Sequence, residues 1–388
     1  MKIKFENWTK YKLQCRQELF EQIIPFWEKY SLDETYGGYF TCLDREGKVY
    51  DTDKFIWLQC RQVWTFSMLY NRYNKNDNWL HLAEKGADFL QKYGTDKHGN
   101  WYFSLDRKGN PLIQPYNIFS DCFAAMAFAQ LGLASGKEEY NDLAISTFRN
   151  IIHRQENPKG IYNKSFPGTR PLKNFALPMI ICNLALELKH LLPRDEVENL
   201  LDKMVKEVLK DFFDADSGLI LENVTPEGNK VDTFEGRLLN PGHGIEAMWF
   251  IMDIAERWQD DTLFKRCART VIRILDYAWD QEHQGIFYFM DIKNKPVQQL
   301  EWDQKLWWVH LETLVALAKA FSKLQTQEYS DWFHKVHQYT WSHFPDPEFG
   351  EWYGYLNRRG EVSIPLKGGK WKGCFHVPRA LFQIYQTL

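Results

Sequence analysis

Two patterns of hydrophobic and polar positions alternate along this chain. Over most of its length, apolar residues return every three to four positions, which is the period of a helix that buries one face. Between these stretches a glycine followed by aromatic or aliphatic residues recurs, at Gly38, Gly99, Gly160, Gly218, Gly285 and Gly350. The helical pattern predicts helices over residues 7–30, 55–75, 77–93, 117–135, 138–156, 175–192, 194–213, 242–259, 261–281, 305–324, 327–343 and 375–387.

The predicted helices are of two kinds. Those after long loops are strongly apolar, as in residues 122–129, whereas those after short turns carry a charged face, as in residues 196–207. An apolar helix is buried and an amphipathic helix lies at the periphery. Their alternation predicts an all-α fold, an (α/α)6 barrel of six inner and six outer helices that fills residues 1–388 as a single domain. An open superhelical array would instead need polar capping helices, and the apolar pattern of residues 375–388 favours closure.

The long loops combine the recurring glycine with a second turn signal, as at Asp44–Gly47 and Asp106–Gly109. Strand-forming residues on both sides of such a turn predict a short β-hairpin. Because every long loop precedes an inner helix, all inner helices should begin at one rim of the barrel. Polar residues in their first turns should therefore meet in one cavity, which is a common position for a binding site.

The stretch 240–246, Asn-Pro-Gly-His-Gly-Ile-Glu, places His243 in the first turn of an apolar helix and Glu246 one turn further on. Residues three apart on a helix are neighbours. A carboxylate in that position can orient the imidazole and tune its proton affinity. The equivalent turns of the other predicted inner helices supply further candidates, which are Arg61, Asn117, Asp121, Asn174, Asn183, Trp308, Glu312 and His376.

Composition excludes several classes of protein. The formal net charge is −3 with mixed signs along the chain, which indicates neither a nucleic-acid partner nor a membrane surface. No apolar run approaches the roughly 18 residues needed to span a bilayer, and the first residues lack the apolar core of a signal peptide. The seven cysteines are scattered without a C-x-x-C pair, so a reduced, cytoplasmic protein fits best.

Motifs for metal, nucleotide or nucleophilic chemistry are missing from the sequence, which contains no H-E-x-x-H, P-loop or G-x-S-x-G pattern. The histidines and carboxylates among the candidate residues are suited to acid–base catalysis. Asp121 and Glu312 would suit an inverting glycosidase, which needs two carboxylates about 6.5–9.5 Å apart. Two histidines on opposite sides of a cavity would instead suit removal of a proton from one face of a carbon and its return to the other. Arg61 would stabilise the oxyanion that develops beside that carbon.

Three segments together resemble the N-acylglucosamine 2-epimerase family, also called renin-binding protein. They are Asn240–Glu246, Leu311–Leu317 and Lys370–Arg379, and the likeness extends over essentially the whole chain, including Trp57–Gln62. The resemblance implies an (α/α)6 barrel and an isomerase that interconverts N-acetyl-D-glucosamine and N-acetyl-D-mannosamine. It also implies a homodimer. No metal is expected, because the sequence lacks a metal-binding motif.

Matched position by position, the resemblance also implies roles for individual residues. The implied acid–base pair is His243 and His376, with Arg61 and Glu312 needed for activity and Glu246 beside the first histidine. The opened sugar would lose its C2 proton to one histidine and regain a proton from the other. The candidate contacts to the substrate are Asn117, Asp121, Trp308 and Trp371.

A basic loop follows the predicted helix 138–156. Residues 154–173 contain five basic residues and only one acidic residue, Glu156. Exposed backbone amides together with lysine or arginine can hold phosphate groups, although a solvated loop would have the same composition. The resemblance implies that ATP binds here as an activator that is not consumed, with Arg154, Asn157, Lys159 and Gly160 as its contacts.

Other functions stay open at this point. Within the same family, cellobiose 2-epimerases and mannose isomerases act on unacylated sugars. Residues 179–188 lack the histidine that the disaccharide epimerases carry in this inner helix, which favours an N-acyl substrate. An inverting glycoside hydrolase on the same barrel and a non-enzymatic, protease-binding protein are the alternatives from other classes.

Overall fold

The computed structural model describes residues 5–166 and 168–388 of the chain. Within them, twelve long helical segments alternate with loops, as the periodicity predicts. The first segment is α1 (Phe5–Glu18) followed by a π-helical turn (Leu19–Ile23) and α2 (Ile24–Tyr30), and a second π-helical turn (Val208–Phe212) extends α8 (Arg194–Glu207). The helices are α1 (Phe5–Glu18), α2 (Ile24–Tyr30), α3 (Ile56–Arg72), α4 (Asp77–Tyr93), α5 (Phe119–Ser135), α6 (Glu138–Arg154), α7 (Ala176–Glu187), α8 (Arg194–Glu207), the one-turn α9 (Phe234–Arg237), α10 (Pro241–Trp258), α11 (Asp261–Ala278), α12 (Trp307–Leu324), α13 (Gln327–His343) and α14 (His376–Thr387).

The helices form two concentric rings, which confirms the predicted (α/α)6 barrel. Helices α3, α5, α7, α10, α12 and α14 pack side by side in that order as the inner ring, and each outer helix packs on the inner helix beside it. The ring is closed rather than open, because Thr65 on α3 donates a hydrogen bond of 2.7 Å to the Cys374 carbonyl just before α14. No helix among the described residues is long and apolar enough to cross a membrane.

Burial explains why the two kinds of helix take their places. On α5 every residue from Ser120 to Gly132 is buried, because the helix is surrounded by its ring neighbours and by the outer ring. On α4 the buried residues return at helical spacing, from Trp79 through Leu82 to Gly86 and Leu90, so only one face packs inward. An all-round apolar helix needs burial on all sides, whereas an amphipathic helix covers the core with one face.

Short strands lie in the long loops at one end of the barrel. The strands are β1 (Lys54–Phe55), β2 (Ser104–Leu105), β3 (Pro111–Ile113), β4 (Lys173–Asn174), β5 (Phe213–Asp214), β6 (Leu219–Ile220), β7 (Asn223–Val224), β8 (Leu238–Leu239), β9 (Met290–Asp291), β10 (Lys305–Leu306), β11 (Tyr355–Leu356) and β12 (Val362–Ile364). Hairpins within a loop occur as predicted (β2–β3, β5–β6 and β11–β12), but most pairings join successive loops (β1–β2, β4–β7, β8–β9 and β10–β11). The loops therefore form a rim, in which strand pairs join the first loop to the second, and the third through sixth loops to one another.

Three ion clusters of the same design connect the loops of the rim. In each, a buried aspartate that follows an outer helix binds a buried lysine of its own loop and an arginine from the turn of the next loop around the ring. The third cluster joins the last loop to the first, with Arg45 Nε 2.7 Å from Asp346. The clusters are Asp33 with Lys54 and Arg107, Asp280 with Lys305 and Arg358, and Asp346 with Lys367 and Arg45.

Candidate active site

The inner helices begin around a cavity of about 600 Å³ that opens at the rim of loops. Its position is the one that the order of loops and helices predicts. All six inner helices, or the residues just before them, contribute to the lining. The residues that line the cavity are Trp57, Arg61, Asn117, Phe119, Phe123, Ala176, Met179, Ile180, His243, Glu246, Tyr288, Glu301, Gln304, Leu306, Trp307, Trp308, Tyr355, Ile364, Trp371, His376 and Arg379.

His243 is fixed at the start of α10. Asn240 caps the helix by accepting a hydrogen bond of 3.2 Å from the His243 amide, and Pro241 occupies the first helical position, where its missing N–H costs nothing. The imidazole Nδ1 lies 3.1 Å from Oε1 of Glu222, a buried residue of the loop between β6 and β7. Nδ1–H therefore donates to Glu222, and Nε2 is the nitrogen left for a substrate.

The partner of His243 corrects one prediction from the sequence. Glu246 lies one turn away and lines the cavity, as expected, but the carboxylate that binds the imidazole is Glu222. Burial disfavours the charged ring, yet the charge and hydrogen bond of Glu222, with a smaller contribution from Glu246, outweigh it and raise the pKa of His243. His243 therefore favours the protonated form more than an ordinary histidine does.

His376, the first residue of α14, has a different environment. Its Nδ1 lies 2.8 Å from Oε1 of Glu312, which is fully buried and not itself part of the cavity wall. The same oxygen lies 2.7 Å from a terminal nitrogen of Arg379, one turn along α14. Burial, together with the cations Arg61 and Arg379, holds the pKa of His376 well below its usual range. This imidazole is neutral near pH 7, and its Nε2 can accept a proton.

Arg379 connects the carboxylates beneath the cavity. It donates to Glu246 as well as approaching Glu312, and Glu312 also accepts a hydrogen bond of 3.0 Å from the Trp249 indole. Ligand atoms of Glu246, Glu312 and His376 come within 4.8 Å of one another, which is close enough for a metal site. Arg379 already supplies positive charge to both carboxylates, so this group of residues has its cation from the protein.

Trp308 brings the two histidines into one site. The centroid of its ring lies 5.4 Å from that of His243 and 5.7 Å from that of His376. Trp371 also lines the cavity and is half exposed at its mouth, and Asn117 lines the wall near α5. Three of the four residues expected to contact substrate therefore reach the cavity.

Arg61 lies on α3 with its guanidinium held among aromatic rings. Its central carbon is 4.3 Å from the ring centroid of Trp57, 3.9 Å from that of Phe123 and 4.6 Å from that of Phe375. Its Nε is buried without a hydrogen-bond partner. Burial, and then the nearby charge of Arg379, lower the pKa of Arg61 to about 9. A cation held this way in the cavity wall suits an anion that forms during the reaction.

The structure places Asp121 outside the cavity. Its side chain is fully buried behind α5, where it binds Arg154 at 2.9 Å and accepts a hydrogen bond of 3.5 Å from the Trp101 amide. Burial raises the pKa of Asp121 to about 7, although Arg154 opposes that shift. Asp121 is expected to contact the substrate and Arg154 to contact ATP, but the two side chains bind each other instead. Neither Asp121 nor Glu312, the carboxylate pair expected of a glycosidase, lines the cavity.

The remaining candidates lie at the periphery of the site. Asn174 caps the start of α7 by accepting from the Ala176 amide, and Asn183 donates to the sulfur of Met126 below the cavity. In the basic loop, Asn157, Lys159 and Gly160 are exposed, and Gly160 has a φ of +52°, which favours glycine. These three residues face solvent near the rim, whereas Arg154 is held by Asp121.

Comparison with known proteins identifies the family of the chain. Residues 38–380 match the family N-acylglucosamine 2-epimerase (GlcNAc 2-epimerase). The chain belongs to this family. The N-acylglucosamine 2-epimerase of Mus musculus is 37% identical over 393 residues, which cover 99% of this chain and 93% of the mouse protein. That of Homo sapiens is 36% identical, with 99% and 91% covered.

A solved structure extends the comparison to the fold. The cellobiose 2-epimerase of Bacillus thermoamylovorans B4167 superposes with a TM-score of 0.85, and the alignment covers 98% of this chain and 100% of that one. The two sequences are 21% identical, so the likeness concerns the fold.

Several residues of the site are not predicted from the sequence. Arg379 lies three residues after His376 on α14, so the same helical spacing that links His243 to Glu246 could have identified it. The others sit in loops without periodicity, where no sequence signal points into the cavity. They are Glu222, Tyr288, Glu301, Gln304 and Tyr355.

Proposed function

We propose that this member of the N-acylglucosamine 2-epimerase family interconverts N-acetyl-D-glucosamine and N-acetyl-D-mannosamine. Identity of 35–37% over nearly the full chain to mammalian N-acylglucosamine 2-epimerases supports this substrate. The observation that carries the chemistry is the pair His243 and His376, each oriented by a carboxylate and both beside Trp308 in one cavity.

In the proposed reaction the pyranose first opens to its aldehyde, which acidifies the C2 proton. Neutral His376 accepts that proton through Nε2, and charge develops on O1, where Arg61 stabilises the enediolate. Protonated His243 then donates a proton to the opposite face of C2. One proton leaves C2 and one returns, so the sugar keeps its formula and only its configuration changes. In the reverse direction the two imidazoles exchange roles.

Incubation with N-acetylglucosamine in deuterated water tests this mechanism. We expect N-acetylmannosamine to form with deuterium at C2, because the proton that returns comes from a histidine in exchange with solvent. Product with full protium at C2 would contradict the two-base scheme. Parallel incubations with cellobiose, mannose and oligosaccharides decide between the proposed substrate, the unacylated sugars and hydrolysis.

We also propose that ATP activates the enzyme without being consumed, by binding at the basic loop that follows α6, within residues 157–166 and 168–170. Lys159, Lys164 and Arg170 are exposed there and provide positive charge, whereas Arg154 is held by Asp121. Titration of ATP against the wild type and Lys159→Ala tests the site, with Lys189→Ala on a distant loop as the control. Identical activation curves for the wild type and Lys159→Ala would exclude this loop.

The proposed assembly is a homodimer in the cytoplasm. The assembly follows from the family resemblance, and the compartment is supported by seven free, buried cysteines. Analytical ultracentrifugation measures the mass directly, and a monomer at micromolar concentration would contradict the dimer.

A further inference from the structure

Two sides of the cavity differ in chemistry. The side formed by the first turns of α5 and α7, here called the α5–α7 wall, presents Phe119, Phe123, Ala176, Met179 and Ile180. The side formed by the start of α12 and the loops before α12 and α14 also has apolar residues, Leu306, Trp307 and Ile364, but it adds the polar groups of Tyr288, Glu301, Gln304 and Tyr355. Because the inner ring runs α3, α5, α7, α10, α12, α14, these two sides face each other across the cavity.

The substrate of the proposed reaction has a matching asymmetry. Carbon C2 carries C1, the acylated nitrogen and C3. When C2 lies between the imidazoles and O1 lies at Arg61, the acyl group and the hydroxyl-bearing chain must take the two remaining directions. Hydroxyl groups removed from water need hydrogen-bond partners, whereas an acyl methyl group gains from apolar contact. The polar side therefore fits the hydroxyl-bearing chain.

We propose that the α5–α7 wall is the acyl subsite of the enzyme and that Met179 and Ile180 set the length of acyl group it accepts; this rests on the proposed epimerase function. Met179 and Ile180 are almost fully buried yet reach the cavity, so their side chains form its surface. Arg61 packs on Phe123, so the wall begins beside the group assigned to O1, as it must when C1 and the acyl nitrogen share C2.

Asn117 completes this subsite. Its amide oxygen accepts a hydrogen bond of 3.0 Å from the Phe119 amide at the start of α5. The NH2 group is therefore the part of the side chain that can donate to an acyl carbonyl. Asn117 thus holds the polar end of the acyl group while the wall packs against its methyl end.

The test compares kcat/KM for N-acetyl-, N-propionyl- and N-butanoylglucosamine, with epimers separated by chromatography. Met179→Ala should raise the ratio of N-butanoyl to N-acetyl activity by about tenfold, the size of effect that one or two methylene groups have in an apolar pocket. Ala176→Val on the same wall should lower that ratio. The control Ile364→Ala shortens an apolar residue that lines the cavity from β12, and it should leave the ratio unchanged.

Each result supports or overturns the acyl subsite. Folded Met179→Ala and Ala176→Val proteins, checked by thermal melting, with unaltered ratios would overturn it. A changed ratio in Ile364→Ala alone would place the acyl group on the other side of the cavity. A wild type that epimerises none of the three sugars would refute the proposed function itself, which is a different result from active enzyme with the wrong variants responding.

Discussion

The two histidines of the cavity each bind a glutamate, yet their pKa values are shifted in opposite directions. His243 donates to Glu222 and His376 donates to Glu312, both through Nδ1. The surroundings differ, because burial and the charges of Arg61 and Arg379 act against a protonated His376, and Arg379 also binds Glu312. Glu222 has no such cation beside it among the described residues, and its charge outweighs burial at His243. A carboxylate raises the proton affinity of a histidine only as far as its charge is not already neutralised.

This contrast gives the site one acid and one base at the same pH. The pKa of His243 is raised and that of His376 is lowered. Activity that needs His376 neutral is lost as pH falls through its pKa, and activity that needs His243 protonated is lost as pH rises through its pKa. We therefore expect a bell-shaped profile of kcat/KM, with an acidic limb well below pH 6.5 and an alkaline limb above it.

The largest expected effect comes from removing one of the two imidazoles. His376→Asn should lower kcat by about 10³-fold or more, because the proton on one face of C2 then has no acceptor. Epimer formation measured by chromatography checks the rate, and circular dichroism should show an unchanged fold. Full activity in this variant would refute the role of His376.

A smaller effect should follow when Glu222, the carboxylate that binds His243, is neutralised. Glu222→Gln keeps a hydrogen-bond acceptor but removes the charge that raises the pKa of His243, so the alkaline limb should move to lower pH. We expect kcat/KM near neutrality to fall about 10- to 100-fold, as for other residues that orient an active imidazole. Glu227→Gln, an exposed change in the same loop, is the matched control and should behave as wild type.

The converse change removes the cation from the His376 pair. Arg379→Gln leaves Glu312 unshared, so the pKa of His376 should rise and the acidic limb should move to higher pH. The variant should also lose about 3–5 kcal/mol of unfolding free energy, because two buried carboxylates lose their partner. Arg379→Lys keeps the charge, so its acidic limb should stay close to that of the wild type. A shifted limb in the lysine variant would assign the effect to geometry rather than charge.

The smallest effect tests whether the carboxylates or the indole of Trp308 cause the difference in pKa between the two histidines. Trp308→Phe should lower kcat/KM by less than about tenfold, since it removes packing and no proton carrier. Both limbs of the pH profile should keep their positions. Movement of either limb would show that Trp308 itself sets the proton affinity of its histidine neighbours.

Helical periodicity explains which parts of the site the sequence predicts. His243, Arg61 and His376 lie in or near the first turns of inner helices, and both the fold and the cavity follow from that placement. The prediction that Asp121 lines the cavity is wrong, because the face of α5 that does so is formed by Phe119 and Phe123, which are four residues apart. At about 100° per residue, a side chain two positions from Phe119 points to the outer ring instead.

Loop residues escape this kind of reasoning. Glu222 reaches His243 because β7 pairs with β4 of the preceding loop and fixes the course of the chain. That pairing joins two loops that are far apart in sequence, so no local pattern contains it. The design of the three ion clusters is hidden for the same reason, since each arginine comes from a different loop than its aspartate.

The cluster at Asp346 gives the barrel a property that a linear array of helix pairs lacks. Arg45 and Asp346 are 301 positions apart, and their contact joins the first loop of the rim to the last. Contacts across such distances form late during folding, because the intervening chain must first be in place. The site has the same dependence, since Arg61 and His376 come from the first and last inner helices. A partly folded or proteolytically shortened chain should therefore have no activity, and activity should return during refolding in a single late step.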